Sequence, residues 1–158
     1  MNKTDTGLII RKAKKEDVLL IFTLIKELAE YEKLTHKVTA TENTLTESLF
    51  GERPYVEVII AEYNSELAGQ AIYFHNYSTF EASPGIYLED LYVRPSFRGK
   101  GVGKKLLEEV IAIAKKRKCK RVEWVVLDWN KSAIDFYKSR GAEAMNDWIV
   151  FRLTDDKF

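Results

Sequence analysis

The chain carries a glycine-rich hexapeptide at residues 98–103, Arg-Gly-Lys-Gly-Val-Gly, between a strand pattern and a helix pattern. Three of its eight glycines fall here, at Gly99, Gly101 and Gly103. Glycine lets the backbone approach a ligand closely, and a helix that begins at this point presents free N–H groups and a partial positive charge. The hexapeptide therefore predicts a strand–turn–helix unit with a phosphate or pyrophosphate site at the helix start.

The spacing of these glycines does not fit two common phosphate loops. A Walker A loop needs a glycine five residues before its Gly-Lys pair and a Ser or Thr after it, but Arg98 and Lys105 occupy those positions. The dinucleotide fingerprint needs three residues from its second to its third glycine, whereas Gly101 and Gly103 are two apart. A tight turn without any ligand stays open as the alternative.

Strand and helix patterns alternate along the whole chain. Helical spacing of apolar residues predicts helices at residues 15–33, 39–51, 102–117 and 131–141. Strands are expected at residues 8–13, 55–63, 67–77, 85–93, 121–127 and 148–153, and a turn at 64–66 predicts a hairpin. No linker or repeat interrupts the chain, so we expect one domain over residues 1–158 with an α/β (α+β) fold and a mixed sheet.

The composition argues against nucleic acid as a partner, against a membrane helix and against a metal site. Lys+Arg is 25 and Asp+Glu is 24, so the net charge of +1 does not favour nucleic acid. The longest apolar run is far below the ~20 residues of a membrane helix, and residues 1–5 lack the apolar core of a signal peptide. Cys119 is the single cysteine, and His36 and His75 show no ligand spacing. We expect a soluble, cytoplasmic protein without a metal site.

Residues 98–103, after a strand that ends in Val-Arg-Pro and before an amphipathic helix, resemble the acetyl-CoA loop of the GNAT family of N-acetyltransferases. The resemblance covers nearly the whole chain, because residues 10–17 are similar to the family's first strand and helix, and residues 128–142 to a later motif. Residues 24–32, 87–93 and 127–130 resemble the branch that contains the diamine (spermidine/spermine) and thialysine N-acetyltransferases.

The resemblance implies a mixed, mostly antiparallel twisted sheet flanked by helices. It implies direct transfer of an acetyl group from acetyl-CoA to the primary amine of a small molecule, either a polyamine or diamine or a thialysine-like amino acid, without a metal. A homodimer is typical of the branch. The expected coenzyme contacts are Leu91, Tyr92, Val93, Arg98, Gly99, Lys100, Gly101, Val102, Gly103, Lys104, Asn130, Ala133 and Tyr137.

Two residues are predicted to be catalytic. A tyrosine is protonated at neutral pH because its pKa is ~10, so Tyr137 is predicted to protonate the departing thiolate; without the family motif it would be a core tyrosine. Glu89 is predicted to accept the proton of the amine through water.

An amine site of carboxylates and aromatic residues is expected around Glu89, because a buried ammonium needs a carboxylate partner. Regular alternation along a strand puts Glu89 on one face, with Leu91, and Asp90 on the other, with Leu88 and Tyr92. Both can point into one pocket only if a bulge re-aims one of them. The residues expected to shape this site are Tyr31, Glu32, Glu89, Asp90 and Trp148.

Two other functions stay open. A protein or peptide N-acetyltransferase would have an open groove in place of a carboxylate-rich pocket. A non-catalytic CoA-binding module would keep residues 98–103 and could lose Tyr137, so Tyr137 argues against it.

Overall fold

Alternating apolar residues build one five-stranded sheet in the computed structural model, which describes residues 7–158. The strands are β1 (Leu8–Lys12), β2 (Glu57–Tyr63), β3 (Glu66–Ser78), β4 (Ser83–Val93) and β5 (Val122–Glu123). Their order is β1-β2-β3-β4-β5, with antiparallel pairing throughout except for the parallel pair β4–β5. The expected mixed, mostly antiparallel sheet is confirmed.

The β2–β3 hairpin is also confirmed. Its turn residues Asn64 and Ser65 both have positive φ, +50° and +67°. Positive φ at both central residues is typical of the tight turns whose twist matches that of paired strands.

Three helices accompany the sheet: α1 (Val18–Tyr31), α2 (Glu42–Phe50) and α3 (Val102–Lys116). Ile21 of α1 and Leu49 of α2 pack with Val58, Ile60 and Ile72 in one buried cluster. Since strand neighbours alternate between faces, Tyr73 points to the face opposite to Ile72. Helix α3 buries its own apolar stripe, Val102, Leu106, Leu107, Val110 and Ala114.

Several predicted boundaries are corrected by the structure. Helix α1 begins at Val18, after a 3₁₀ turn, instead of at residue 15. Helix α2 is capped by Thr41, whose hydroxyl accepts a hydrogen bond from the Thr44 N–H at 3.2 Å, instead of opening at residue 39. The strand predicted at residues 121–127 is only two residues long, because its pairing with β4 stops at Glu123.

The chain divides into two compact units, one ending at Trp124 and one comprising Val125–Phe158. The second unit contains α4 (Lys131–Ser139), whose first turn is capped by the Asn130 side chain accepting from the Ala133 N–H at 3.2 Å. Gly141, at φ +87°, follows its end. The predicted cap and stop of this helix are therefore confirmed.

The strand predicted at residues 148–153 is wrong. No strand is assigned to this segment of the described chain, and Trp148 and Phe151 are 74% and 90% exposed. Alternating apolar residues form a strand only where a partner accepts and donates the backbone hydrogen bonds. The N-terminal segment, predicted to lack a signal peptide, lies outside the described residues. None of the helices within residues 7–158 is both long and apolar enough to cross a membrane.

Candidate active site

A β-bulge lies where the sequence places two adjacent carboxylates. Ile72 of β3 pairs with Asp90, but the next residue, Tyr73, pairs with Leu88. Glu89 is therefore the extra residue on β4, and the bulge shifts the alternation by one position.

The bulge changes the face on which Asp90 lies. Because Ile72 and Tyr73 point to opposite faces, their partners Asp90 and Leu88 do so too. The prediction that Asp90 shares a face with Leu88 is wrong, and the physical reason is the unpredicted bulge. Asp90 lies instead on the face of Ile72, which is packed against α1 and α2.

The other two predicted carboxylates, Glu89 and Glu32, act on Asp90 at this point. Burial, together with the negative charges of Glu89 and Glu32, raises the pKa of Asp90 to about 7. Burial also raises the pKa of Glu32, which follows the last residue of α1. Glu89 is exposed. A nearby positive charge would lower the pKa of Asp90 and favour its ionised form, so this group of carboxylates suits a cationic ligand.

The glycine-rich loop leads from β4 into α3 through a 3₁₀ turn at Pro95–Phe97. Gly99 and Gly101 have φ values of +75° and +83°, a region that side-chain-bearing residues rarely adopt. A Cβ atom added at either position would meet no heavy atom within 4 Å. The two glycines thus allow the backbone to adopt positive φ values, and the space beside them, before the start of α3, is open.

The N–H groups of this loop suit an anion. Those of residues 102–104 belong to the first turn of α3 and have no acceptor within the helix. Among residues 7–158, no backbone carbonyl outside the helices and strands accepts from the N–H of residues 99–101. Successive N–H groups at the start of a 15-residue helix fit the pyrophosphate of a coenzyme.

The long basic side chains of the loop fold back onto aromatic rings. The Arg98 guanidinium lies over the Tyr31 ring at 4.7 Å, and its Nε donates to the Val93 carbonyl at 3.0 Å. Lys100 Nζ lies 5.3 Å and 5.2 Å from the ring centroids of Tyr63 and Phe97. These contacts fix the loop against the protein and leave the anion site to the backbone.

One edge of β4 is open beside the loop. Strand β5 pairs only with Ile86 and Tyr87. From residue 88 to 93, that edge of β4 has no strand partner in the part of the chain that the structure describes. Successive residues of a strand point these groups to opposite edges, and the Tyr92 carbonyl lies on the side of β3, near Gly69. The open edge therefore presents the groups of Leu91 and the N–H of Val93, whose carbonyl accepts from Arg98, and these groups suit an extended ligand with amide groups.

An open cleft of about 350 Å³ lies between α1 and the end of β4. It is lined by Glu27, Glu30, Tyr31, Tyr92 and Pro95. Burial and the charge of Glu27 raise the pKa of the Tyr92 phenol. Sequence reasoning missed Glu27 and Glu30, because charged residues on a helix are usually solvated; the available signal was that Glu27 precedes Glu30 by three positions and Tyr31 by four, spacings at which helical side chains are neighbours.

The remaining predicted site residues belong to the second unit. Tyr137 is half-buried on α4, with its ring 5.4 Å from that of Phe136. Asn130 and Ala133 are joined by the cap of the same helix. Trp148 is largely exposed. The approach of these residues to the coenzyme or the amine stays a prediction.

Comparison with models of protein families shows the family to which the chain belongs. The model described as the acetyltransferase (GNAT) family matches residues 21–142, a span that includes most of α1, the glycine-rich loop and α4. The chain belongs to the GNAT family. The resemblance inferred from the sequence and the expected N-acetyltransferase activity are confirmed, and the family uses acetyl-CoA as its acetyl donor.

Relatives cover almost the full length of this GNAT chain. A thialysine N-epsilon-acetyltransferase from Bos taurus is 40% identical, over 91% of this chain and 91% of that protein. An L-ornithine N5-acetyltransferase from Arabidopsis thaliana is 34% identical, over 93% and 84%. Among solved structures, an integron cassette protein from the V. cholerae mobile metagenome superposes with a TM-score of 0.80, at 29% identity, over 96% and 94% of the two chains.

Proposed function

We propose that this enzyme transfers the acetyl group of acetyl-CoA directly to the primary amine of a small molecule, a polyamine or diamine or a thialysine-like amino acid. The observation that carries the proposal is the carboxylate group at the β4 bulge, where burial, together with the charges of Glu89 and Glu32, raises the pKa of Asp90 to about 7. The names of the relatives support the same substrate class. Residues 1–158 are proposed to act as one catalytic domain.

The coenzyme is assigned to the loop and to the open edge of β4. The backbone N–H groups of residues 99–104 would hold its pyrophosphate, and residues 91–93 would pair with its amide-containing arm. Acetyl-CoA supplies an acetyl group on a thioester. Arg98, Asn130, Ala133 and Tyr137 complete the proposed coenzyme contacts. The open space in front of Gly99 and Gly101 supports this assignment.

The amine is assigned to the carboxylate group. A primary amine with a pKa of ~10, like that of lysine, arrives protonated at pH 7, and an unpaired ammonium is costly to bury. Glu32, Asp90, Tyr31 and Trp148 are proposed to shape the pocket, and Glu89 is proposed to accept the proton through water. Asp90 is a second candidate acceptor, because a base with a pKa near the working pH is the most efficient.

Tyr137 is proposed as the general acid. A phenol with a pKa of ~10 is protonated at neutral pH and can donate to a departing thiolate. The family resemblance of residues 128–142 supports this role, as does the capped helix that holds the tyrosine. A non-catalytic CoA-binding protein would not require Tyr137.

A homodimer and a cytoplasmic location are further proposals. The dimer is supported by the resemblance to the diamine and thialysine branch. Exposed apolar side chains in residues 145–158, among them Ile149, Val150 and Phe151, are consistent with a covered surface in an assembly. Acetylation of a protein or peptide remains the competing function.

The coenzyme assignment is tested by a matched pair of glycine variants. Gly101 and Gly141 have φ values of +83° and +87°, and a Cβ at either meets no atom within 4 Å. Gly101→Ala and Gly141→Ala should therefore cost similar stability, about 1 kcal/mol from the left-handed conformation. Only Gly101→Ala places a methyl group where the pyrophosphate is assigned.

We expect Gly101→Ala to weaken acetyl-CoA binding by about tenfold or more, since one lost charge-assisted hydrogen bond is worth about 1.5–3 kcal/mol. Gly141→Ala should bind like the wild type. Calorimetric titration with acetyl-CoA and thermal unfolding of both variants provide the two readouts. Equal affinities in the two variants would remove the loop from the coenzyme site.

A further inference from the structure

Arg94 joins three elements where β4 ends and the coenzyme loop begins. Its Nε lies 3.0 and 3.1 Å from the two carboxylate oxygens of Glu27, and its Nη2 donates to the same carboxylate at 2.7 Å. Its Nη1 donates to the Leu67 carbonyl at 3.1 Å, and its backbone N–H to the Ala68 carbonyl at 2.9 Å. One residue thus links α1, β3 and the loop.

The segment of β3 that contacts Arg94 contains a β-bulge. Ala61 of β2 pairs with Gly69 and the next residue, Glu62, with Leu67, so Ala68 is an extra residue in β3. This second bulge leaves the carbonyl groups of Leu67 and Ala68 to Arg94. Next to it, a Cβ on Gly69 would lie 2.3 Å from the Tyr92 carbonyl, so a glycine is needed for the close approach of β3 to the end of β4.

A parallel contact lies one helical turn further along α1. Tyr31 is four residues after Glu27, on the same face of the helix, and Arg98 is four residues after Arg94. The Arg98 guanidinium covers the Tyr31 ring while its Nε bonds to the Val93 carbonyl. The pairs Glu27–Arg94 and Tyr31–Arg98 therefore form two connections between α1 and the loop.

We propose that Glu27 and Arg94 are positioning residues that hold the end of α1 and the start of the coenzyme loop in one geometry. The inference rests on the proposed function, because α1 then supplies Tyr31 and Glu32 to the amine and the loop binds acetyl-CoA. Neither Glu27 nor Arg94 touches the reacting atoms in this assignment. Without the Glu27–Arg94 ion pair, the end of α1 and the coenzyme loop can shift relative to each other. The protein then binds both the amine and acetyl-CoA less tightly.

The fold contains a second ion pair that serves as a matched control. Arg117 donates to both carboxylate oxygens of Glu57, at 2.5 and 2.8 Å, far along α3 from the loop. The side chains of Arg94 and Glu27 are 30% and 29% exposed, and those of Arg117 and Glu57 are 30% and 33% exposed. Glu57 also pairs with Lys12 at 3.4 Å, but that lysine side chain is 71% exposed and contributes little. Loss of either carboxylate should thus have a similar effect on stability, whereas only Glu27 adjoins the proposed sites.

The experiment compares Glu27→Gln with Glu57→Gln, using thermal unfolding, calorimetric titration with acetyl-CoA, and the KM of a diamine. We expect Glu27→Gln to raise both the acetyl-CoA Kd and the amine KM by about 10- to 100-fold, the effect of a small misplacement of the binding groups. Glu57→Gln should change both by less than about twofold, because distant sites act independently.

Arg94→Lys provides the conservative variant. It keeps the positive charge, but an ammonium group cannot reproduce the fork that reaches Glu27 and the Leu67 carbonyl together. We expect an acetyl-CoA Kd between those of the wild type and Glu27→Gln. This variant also keeps the proposal testable if Glu27→Gln does not fold.

Equal ligand affinities in Glu27→Gln and Glu57→Gln, at equal loss of stability, would overturn the positioning role. A wild type that binds acetyl-CoA but acetylates no small amine would instead contradict the proposed function. The acetyl-CoA affinities of the two variants would still test the connection between Glu27 and the loop, so the two failures are distinguishable.

Discussion

At the residue scale, the carboxyl group of Asp90 carries a pKa of about 7, because it is buried and faces the charges of Glu89 and Glu32. The folded protein therefore binds this proton more tightly than the unfolded chain does. The stability that the proton contributes is complete below the unfolded pKa of 3.8 and is lost as the pH rises through about 7. Ionisation of Asp90 lowers the stability of the folded protein, and a bound ammonium substrate would offset this loss.

Asp90→Asn should consequently stabilise the enzyme at alkaline pH. At pH 8 the gain is up to about 4 kcal/mol, at about 1.4 kcal/mol for each pKa unit. It should fall with the pH and approach zero only below the unfolded pKa of 3.8. Urea unfolding at pH 8, 6 and 4.5 measures the difference. A variant that is less stable than the wild type at pH 8 would show that the Asp90 carboxylate is a favourable structural group.

Asp17→Asn is the control of opposite sign. Arg11 holds the pKa of Asp17 below its usual range through hydrogen bonds of 2.7 and 2.9 Å, and the Lys14 N–H adds a bond of 2.7 Å. This stability is present above the unfolded pKa and is lost as the pH falls through the folded pKa. Asp17→Asn should thus destabilise at pH 7, by about 2–3 kcal/mol, and less in acid.

At the scale of elements, the residue type that follows a helix in the left-handed conformation differs among the helices, and only one of these residues is a glycine that the sequence predicts. Helix α4 is followed by Gly141, as predicted. Helices α1 and α3 are instead followed by lysines in the left-handed conformation, Lys33 at φ +60° and Lys118 at φ +58°. After α3, the Cys119 N–H reaches back to the Ala114 carbonyl at 2.9 Å and closes the helix as a glycine motif would.

Lys118→Gly should therefore stabilise the protein by about 1 kcal/mol, because glycine adopts a positive φ without steric cost. Lys115→Gly, inside α3, is the matched control and should destabilise by about 1 kcal/mol. Thermal unfolding of both variants measures the two shifts. A destabilised Lys118→Gly would mean that the lysine side chain contributes more than its backbone strain costs.

The elements also show how far the sequence predicts this structure. The loop, the start of α3 and the cap of α4 follow from local chemistry: the glycines at 99 and 101, and the Asn130 side chain. The bulge at Glu89 and the short β5 depend on pairing with neighbouring strands, which no local pattern encodes. The predicted strand at residues 148–153 failed for the same reason.

At the scale of the whole molecule, the carboxylates and the loop come from distant parts of one unit. Glu32 follows α1, Asp90 lies in β4, and the N–H groups of residues 99–104 belong to the loop and the first turn of α3. The sheet brings them together, and the Glu27–Arg94 pair links α1 to the loop. Sequence motifs predicted the carboxylates and the loop, whereas the Glu27–Arg94 pair required the structure, because its two members are separated by 67 positions.

Release of CoA with a panel of amines measures whether the enzyme acetylates the primary amine of a small molecule. The panel contains a diamine, a polyamine, a basic amino acid with a side-chain amine, a lysine-containing peptide and a blank without amine; free thiol and acetylated product are measured together. We expect small amines to give equal amounts of CoA and N-acetylated product, and the peptide and the blank to give neither. Turnover with the peptide alone, or CoA release without an amine, would contradict this expectation.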